Sequence, residues 1–212
     1  LQQTDTGGGI RGNKIMITIG LTGPTGAGKT SVITIARRLG ISVIDCDKLS
    51  REVTKKGEPV LRELSSHFGE DILKNGELDR HLLANRAFAS EGETKILNQI
   101  IFPYIRKRLA NIVFSEIEKG TTALLLDAPT LYESGADILC DKVIAVLSNQ
   151  SIRQERIIKR DNLDEQSALL RIRAGKTDEF YSQADYIIKN DGTIKEFLDS
   201  TESILKSIIG GK

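Results

Sequence analysis

The sequence predicts an α/β fold of three layers, in which a parallel sheet lies between two layers of helices. Short runs of apolar and β-branched residues alternate along the chain with segments of helical periodicity. The first of these runs leads directly into a glycine-rich loop and a helix. A length of 212 residues suits one domain with a full core. We therefore expect one domain over residues 14–212, preceded by a disordered leader at residues 1–13.

The first strand is expected at residues 15–19 and the first helix at residues 31–39. Between them the stretch GLTGPTGAGKTS, residues 20–31, matches G-x-x-x-x-G-K-[ST], the phosphate-binding P-loop. Glycine allows the positive φ angles and the close backbone approach that a polyphosphate requires. The expected nucleotide contacts of this loop are Gly23, Thr25, Gly26, Ala27, Gly28, Lys29, Thr30 and Ser31.

Two side chains of the P-loop have separate expected roles. Lys29 reaches the β- and γ-phosphates, and Thr30 offers its hydroxyl to magnesium. The N-terminus of the following helix adds unpaired N–H groups and a dipole that favours an anion. The predicted ligand is therefore a magnesium nucleoside triphosphate.

A second apolar strand, at residues 41–44, ends at the sequence Asp45-Cys46-Asp47. In open α/β sheets, ligands lie outside the carboxyl ends of the strands. The two carboxylates could hold magnesium through water or accept a proton from an attacking hydroxyl. Asp47 could also cap the helix that follows, and the two interpretations are compatible.

Residues 48–119 are mostly helical in their apolar period, which is too long for a plain crossover between strands. We expect an inserted helical subdomain here, and it is the natural place for a second substrate. Breaks between its helices are expected at residues 57–59, 69, 75–76, 91–92 and 103, where glycine, proline or asparagine occurs.

A third strand, at residues 121–126, ends at Asp127. An apolar strand that ends in aspartate resembles a Walker B element, which binds magnesium directly or through water. The alternative for Asp127 is a strand cap. Glu133 follows as a possible substrate contact, and a fourth strand is expected at residues 141–147.

Basic residues concentrate in the next segment, residues 150–178. Arg153, Arg156 and Arg160 share one helical face, and Arg171, Arg173 and Lys176 form a second cluster. Such runs are often solvated faces. Beside a P-loop, however, an arginine-bearing lid can neutralise phosphoryl charge and exclude water. A fifth strand at residues 186–189 and a closing helix at residues 194–209 complete the predicted fold.

Composition excludes several classes of protein. Lys and Arg number 30 against 29 Asp and Glu, so the net charge of +1 gives no support for a nucleic-acid or membrane partner. Two cysteines and two histidines are too few for a disulfide framework or a zinc site. No apolar run approaches the roughly 18 residues that span a bilayer. We expect a cytoplasmic protein; the sequence leaves its oligomeric state open.

Several motifs, taken in order, resemble those of the dephospho-coenzyme A kinase family over residues 15–205. They are LTGPTGAGKTS, DCDKLSR, KKGEP, FGEDILKNGELDR, LNQIIFP, DAPTLYE, the KRD of residues 159–161 and QADYIIKN. Four positions depart from the usual pattern of that family, namely Phe102, Thr130, Ala174 and Phe180.

The resemblance implies a P-loop kinase that phosphorylates the ribose 3′-hydroxyl of dephospho-CoA with ATP, the last step of coenzyme A synthesis. It implies that Asp47 is the base, with Asp45 as its neighbour, and that Arg160 is the lid cation. The substrate side would include Thr22, Asp47, Arg51, Arg80, Asp127 and Glu133, and the magnesium ligands would be Thr30 and Asp127.

Two other functions share some of these features. A nucleoside or nucleotide monophosphate kinase also combines a P-loop, inserted helices and an arginine lid. A nucleotide-gated switch or GTPase would also have a P-loop, but the chain lacks the N-K-x-D motif, and DAPT stands where D-x-x-G would follow the third strand.

Overall fold

The computed structural model describes residues 16–211. The leader expected at residues 1–13 lies outside this range. In chain order the strands are β1 (Ile17–Thr22), β2 (Ser42–Asp45), β3 (Leu73–Lys74), β4 (Glu77–Leu78), β5 (Ala123–Asp127), β6 (Lys142–Leu147) and β7 (Tyr186–Lys189). The helices are α1 (Lys29–Arg38), α2 (Cys46–Glu52), α3 (Val60–Phe68), α4 (Arg80–Ala87), α5 (Glu91–Glu118), α6 (Gln150–Asp161), α7 (Glu165–Arg173) and α8 (Ile194–Gly210).

Within the described range, five of the strands form a parallel sheet in the order β2-β5-β1-β6-β7. Strand β5 shows how the sheet builds two cores. Leu125 points to the face covered by α1 and α8, whereas Leu124 and Leu126 point to the face covered by α2 and α5. Successive side chains of a strand point to opposite faces of the sheet, and here helices cover both faces. The predicted three-layer α/β architecture is confirmed.

Between β2 and β5 the chain forms α2 to α5 and the β3–β4 hairpin. Helices α3, α4 and α5 enclose a separate apolar cluster around Leu64, Phe68 and Leu83. Side chains cap two of these helices, since Asp79 accepts the Leu82 N–H at the start of α4 and Ser90 accepts the Glu93 N–H at the start of α5. No helix within residues 16–211 is long and apolar enough to cross a membrane.

Several local predictions differ from the structure. The break predicted at residues 91–92 falls at residues 88–90 instead, since α5 begins at Glu91. Strand β1 runs three residues further than the predicted end at residue 19, because the chain stays hydrogen-bonded to β5 and β6 through Leu21 and beyond. The break predicted at residue 103 is wrong, since Pro103 lies inside α5. Leu97 and Ile105 are buried on either side of it, so packing outweighs the intrinsic cost of proline in a helix.

The predicted cap at Asp47 is also wrong. Asp45 is the N-cap of α2, and its Oδ1 accepts the Lys48 N–H at 2.9 Å. Asp47 lies in the first turn of the helix, which leaves its carboxylate without a capping role.

Replacing Leu109 with alanine should destabilise the fold strongly. Leu109 is fully buried between α5 and the sheet, so Leu109→Ala should lower the free energy of unfolding by about 2–5 kcal/mol. The exposed Ile117 on the same helix provides the control, because Ile117→Ala should change it by only about 0.5 kcal/mol. Urea unfolding measures both values, and equal losses would contradict the packing of α5 described above.

Candidate active site

The sheet order brings the P-loop and two carboxylates together. The P-loop follows β1, and β1 is the neighbour of β5, so Leu21 stands in register with Asp127. Strand β2 is the other neighbour of β5, where Asp45 stands in register with Asp127. All three strands are parallel, so their carboxyl ends meet at one edge of the sheet, where ligands of open α/β sheets bind.

The conformation of the P-loop depends on glycine at two positions. Gly23 has a φ of 136°, and a Cβ there would lie 2.2 Å from the carbonyl oxygen of Val146. Gly28 has a φ of 112°, and a Cβ there would lie 2.3 Å from Nδ2 of Asn190. The loop is therefore packed against β6 and the segment after β7, and no larger residue fits without displacing them.

Arg156 and Asn190 hold the P-loop through hydrogen bonds to its backbone carbonyl oxygens. The Arg156 guanidinium donates to the carbonyl oxygens of Gly26 and Ala27 at 3.3 Å. It also donates to the carbonyl oxygen of Asn190 at 3.2 Å. The Asn190 amide donates to the Ala27 carbonyl oxygen at 2.8 Å. With these carbonyl oxygens occupied, the loop's N–H groups remain directed toward a phosphate.

The P-loop borders a cavity of about 720 Å³, which we call the nucleotide cavity. Eleven of the residues expected from the sequence line it, namely Gly23, Thr25, Gly26, Ala27, Gly28, Lys29, Thr30, Asp47, Asp127, Glu133 and Arg160. Further residues on its wall are Pro24, Pro129, Thr130, Arg156, Arg171, Ala174, Gly175, Lys176 and Tyr181. The cavity thus joins the P-loop, the sheet edge and the segment 150–178.

Five other expected residues lie outside the lining of this cavity. Thr22 is fully buried and donates its hydroxyl to the Pro129 carbonyl oxygen, and Asp45 caps α2. Arg80 is exposed and donates to the backbone carbonyl of Arg51, itself exposed. The residues that lie outside the lining are Thr22, Ser31, Asp45, Arg51 and Arg80.

The charges inside the cavity oppose one another. Burial lowers the pKa of Lys29, and the carboxylates of Asp127 and Asp47 act in the opposite direction. Lys29 Nζ donates to the carbonyl oxygens of Gly23 and Pro24 at 2.5 and 3.4 Å. These backbone contacts hold the ammonium at the mouth of the P-loop, where a phosphate oxygen could replace them.

The carboxylates are also perturbed. Burial raises the pKa of Asp127 to about 6, although Lys29 lowers it. For Asp47, desolvation raises the pKa, the neighbouring Asp45 adds to this, and Lys29 and Arg51 lower it. A carboxylate with a raised pKa is a better proton acceptor, which is the property that a general base requires.

Thr30 and Asp127 fit a magnesium ion by their chemistry. Asp127 Oδ1 is buried and has no hydrogen-bond partner within residues 16–211, which costs free energy unless a ligand or cation satisfies it. A hydroxyl and a carboxylate are the hard oxygen donors that magnesium prefers. No group of three or more His, Cys, Asp or Glu suited to a metal occurs in the described part of the chain.

In the segment 150–178, Arg160 forms an ion pair with Asp161. Arg160 donates from Nε and one Nη to the two carboxylate oxygens of Asp161, each at 2.8 Å. Arg171 donates to the same carboxylate at 2.6 Å. Arg160 is also close enough to Lys29 to lower its pKa. A phosphate between Lys29 and Arg160 would relieve that repulsion.

The sequence interpretation missed the supporting roles of Arg156 and Asn190. Arg156 was counted with the lid cations, since helical spacing shows which residues share a face but not which carbonyl groups they reach. For Asn190 the sequence predicts no role at the site. The signal that could have found it is its position directly after β7, because that strand end lies at the same sheet edge as the P-loop.

The raised pKa of Asp127 predicts a pH dependence of stability in the chain free of nucleotide and metal. The folded pKa of about 6 exceeds the reference value of 3.8, so the folded chain holds more protons between these pH values. The stability from this group is therefore present at low pH and is lost as the pH rises through 6. Asp127→Asn removes the effect. The stability of the variant relative to the parent should therefore increase as the pH rises from 4.5 to 7.5.

Urea unfolding at the two pH values measures this difference. Asp199→Asn, a substitution at an exposed position of α8, controls for the loss of one negative charge. If the free energies of unfolding of the parent and of Asp127→Asn differed by the same amount at both pH values, the raised pKa of Asp127 would be contradicted.

Comparisons with known proteins identify the family. A family model for dephospho-CoA kinase matches residues 17–196. The dephospho-CoA kinase of Bacillus licheniformis is 37% identical over 182 residues, which cover 85% of this chain and 90% of that protein. The dephospho-CoA kinase of Geobacillus kaustophilus is 38% identical over 192 residues, or 90% of this chain and 96% of that protein.

A solved structure agrees with these matches. The dephospho-CoA kinase from Campylobacter jejuni superposes with a TM-score of 0.68 at 27% identity, covering 93% of this chain and 99% of its own. The sequence matches extend over the P-loop, the helices between β2 and β5, and the segment 150–178. The chain therefore belongs to the dephospho-CoA kinase family.

Proposed function

We propose that this chain transfers the γ-phosphoryl group of ATP to the ribose 3′-hydroxyl of dephospho-CoA, which gives coenzyme A and ADP. It is thus a phosphotransferase with an alcohol acceptor, acting in the last step of coenzyme A synthesis. The observation that carries the proposal is the convergence of Lys29, Asp47 and Arg160 on one cavity. The cavity also adjoins a groove along α5, where a second substrate can enter. We assign this activity to the cytoplasm, where ATP is available.

The ATP phosphates lie along the P-loop in this proposal. The backbone N–H groups after Gly23 surround them, and the N-terminus of α1 adds its dipole. Lys29 neutralises charge on the β- and γ-phosphates, which grows at the leaving oxygen as the bond to ADP breaks. Thr30 and Asp127 would hold a magnesium ion, which would neutralise phosphate charge when bound.

Asp47 accepts or orients the proton of the acceptor hydroxyl. It lines the nucleotide cavity together with the P-loop, and its raised pKa suits a proton acceptor. Asp45, two residues earlier, is occupied as the cap of α2. Arg160 exchanges Asp161 for a phosphate oxygen when the segment 150–178 closes as a lid, which also excludes water.

One assay separates this function from the monophosphate kinase alternative. Magnesium-ATP is supplied with dephospho-CoA, AMP, CMP or UMP as the acceptor, and ADP formation is followed together with the 3′-phosphorylated product. The proposal expects turnover with dephospho-CoA and little with the monophosphates. Preferred phosphorylation of a nucleoside monophosphate would contradict it.

Asp47→Asn should slow catalysis and leave ATP binding near normal. Asparagine keeps the size of the side chain but does not accept the proton, so kcat should fall by about a hundred- to ten-thousand-fold. Steady-state kinetics at saturating dephospho-CoA and calorimetric titration with an ATP analogue measure the two effects. Asp45→Asn is the matched control, since asparagine retains the helix cap and should cost far less. A parent-like kcat for Asp47→Asn would move the base to Asp45.

Arg160→Ala should lower kcat more than it weakens binding of the acceptor. The arginine meets phosphate after lid closure, so its contribution appears mainly in the transition state, and a loss of about a hundredfold or more in kcat is expected. Arg173→Ala is the control, because Arg173 is exposed on α7 and lies outside the lining of the nucleotide cavity. A rise in KM for dephospho-CoA with an unchanged kcat would place Arg160 in the acceptor site instead.

A further inference from the structure

Two further hollows adjoin the nucleotide cavity, and the smaller of them does so at Asp47. The smaller, which we call the α5 pocket, has a volume of about 230 Å³ and shares Asp47 and Thr130 with the nucleotide cavity. The larger, which we call the α5 groove, has a volume of about 1,180 Å³ and shares Glu133 and Lys176 with it. Asn98 and Phe102 of α5 line both hollows and so form the wall between them.

The α5 pocket is neutral apart from Asp47. Its walls are mostly apolar and include Ile101, Ile105 and Ala128. Phe102 adds an aromatic ring, and Asn98 adds an amide that can donate two hydrogen bonds and accept two. Pockets for drug-sized ligands occupy about 300–1,000 Å³, so this one is suited to a single planar group rather than to the whole acceptor.

The α5 groove differs in charge and size. Lys95, Arg106 and Lys176 line it together with Glu91 and Glu133, so cations outnumber carboxylates. It also carries the exposed ring of Phe88, which is 67% accessible. A long, anionic ligand with a flexible arm therefore suits the groove, and a neutral ring suits the pocket.

We propose that the α5 pocket binds the adenine of dephospho-CoA and that Asn98 recognises its 6-amino group. The inference rests on the proposed function, because it concerns the acceptor of that reaction. In dephospho-CoA the ribose lies between the adenine and a diphosphate that bears the pantetheine arm. Asp47 lines the boundary between the nucleotide cavity and the α5 pocket, so a ribose 3′-hydroxyl at Asp47 places the adenine in the pocket.

The opposite orientation of the acceptor is disfavoured by charge. It would place the diphosphate among apolar walls beside the carboxylate of Asp47, where neither desolvation nor charge is compensated. In the proposed orientation the diphosphate meets the cations of the α5 groove. The amide of asparagine matches the hydrogen-bonding edge of adenine, and the ring of Phe102 borders the same pocket. Asn98 is thus a specificity-determining residue for the acceptor.

The test removes the amide of Asn98 and the 6-amino group of the acceptor, singly and together. Parent, Asn98→Leu and Gln99→Leu are assayed with dephospho-CoA and with its analogue that carries unsubstituted purine, which lacks the 6-amino group. Gln99 is the matched control, since it lines the α5 groove but not the α5 pocket. Unfolding and ATP-analogue binding confirm that each variant is folded, and Asn98→Ala repeats the test with a smaller side chain.

The parent and Gln99→Leu should lose about tenfold in kcat/KM on removal of the amino group, as expected for one hydrogen bond of about 1.4 kcal/mol. Asn98→Leu should lose less than about twofold. An equal loss in Asn98→Leu and the parent, or no loss in the parent, would overturn the adenine assignment while leaving the kinase function intact. Absence of turnover of dephospho-CoA by the parent would overturn the proposed function itself.

Discussion

The close packing of the P-loop against its neighbours is the constraint on which the rest of the site depends. Gly23 contacts the backbone of β6 and Gly28 contacts Asn190, so the loop has no space for a side chain at either position. The sheet order is what supplies these neighbours, because β1 is the central strand with β5 on one side and β6 on the other. The same order aligns Asp127 beside the loop. A loop held this firmly directs its N–H groups without reorganisation when phosphate arrives.

The electrostatics of the nucleotide cavity suit a polyanion with a bound cation. Burial disfavours the charged forms of both Lys29 and Asp127, and their mutual attraction offsets part of that cost. The orphaned Oδ1 of Asp127 and the mutual repulsion of Lys29 and Arg160 are further unfavourable terms. Phosphate near the two cations and magnesium near Asp127 would reverse both terms. Stability has thus been exchanged for binding at this edge of the sheet, as in many active sites.

The site could be predicted from the sequence where its residues stand at or directly after the end of a strand. The P-loop, Asp47 and Asp127 follow strands that parallel topology brings to one edge, so their proximity could be predicted. It was harder to predict where a helix continues and where it ends. Pro103 lies within α5 because buried neighbours hold that helix on both sides, and periodicity does not measure packing. Arg156 and Asn190 act on backbone carbonyls, which no motif encodes, although the position of Asn190 after β7 places it at the sheet edge of the P-loop.

The uninterrupted course of α5 through Pro103 explains how one helix can serve two hollows. Asn98, Phe102 and Ile105 occupy successive turns, so a break at residue 103 would separate the first two from the third. Because the helix continues, Asn98 and Phe102 stand as a wall between pocket and groove, and Ile105 closes the pocket floor against the sheet. The buried side of α5 is anchored by Leu109, which ties this wall to the same sheet that carries Asp127. The acceptor side of the site is therefore positioned relative to the phosphate side by the core itself, through α5 and β5, and not by a flexible loop.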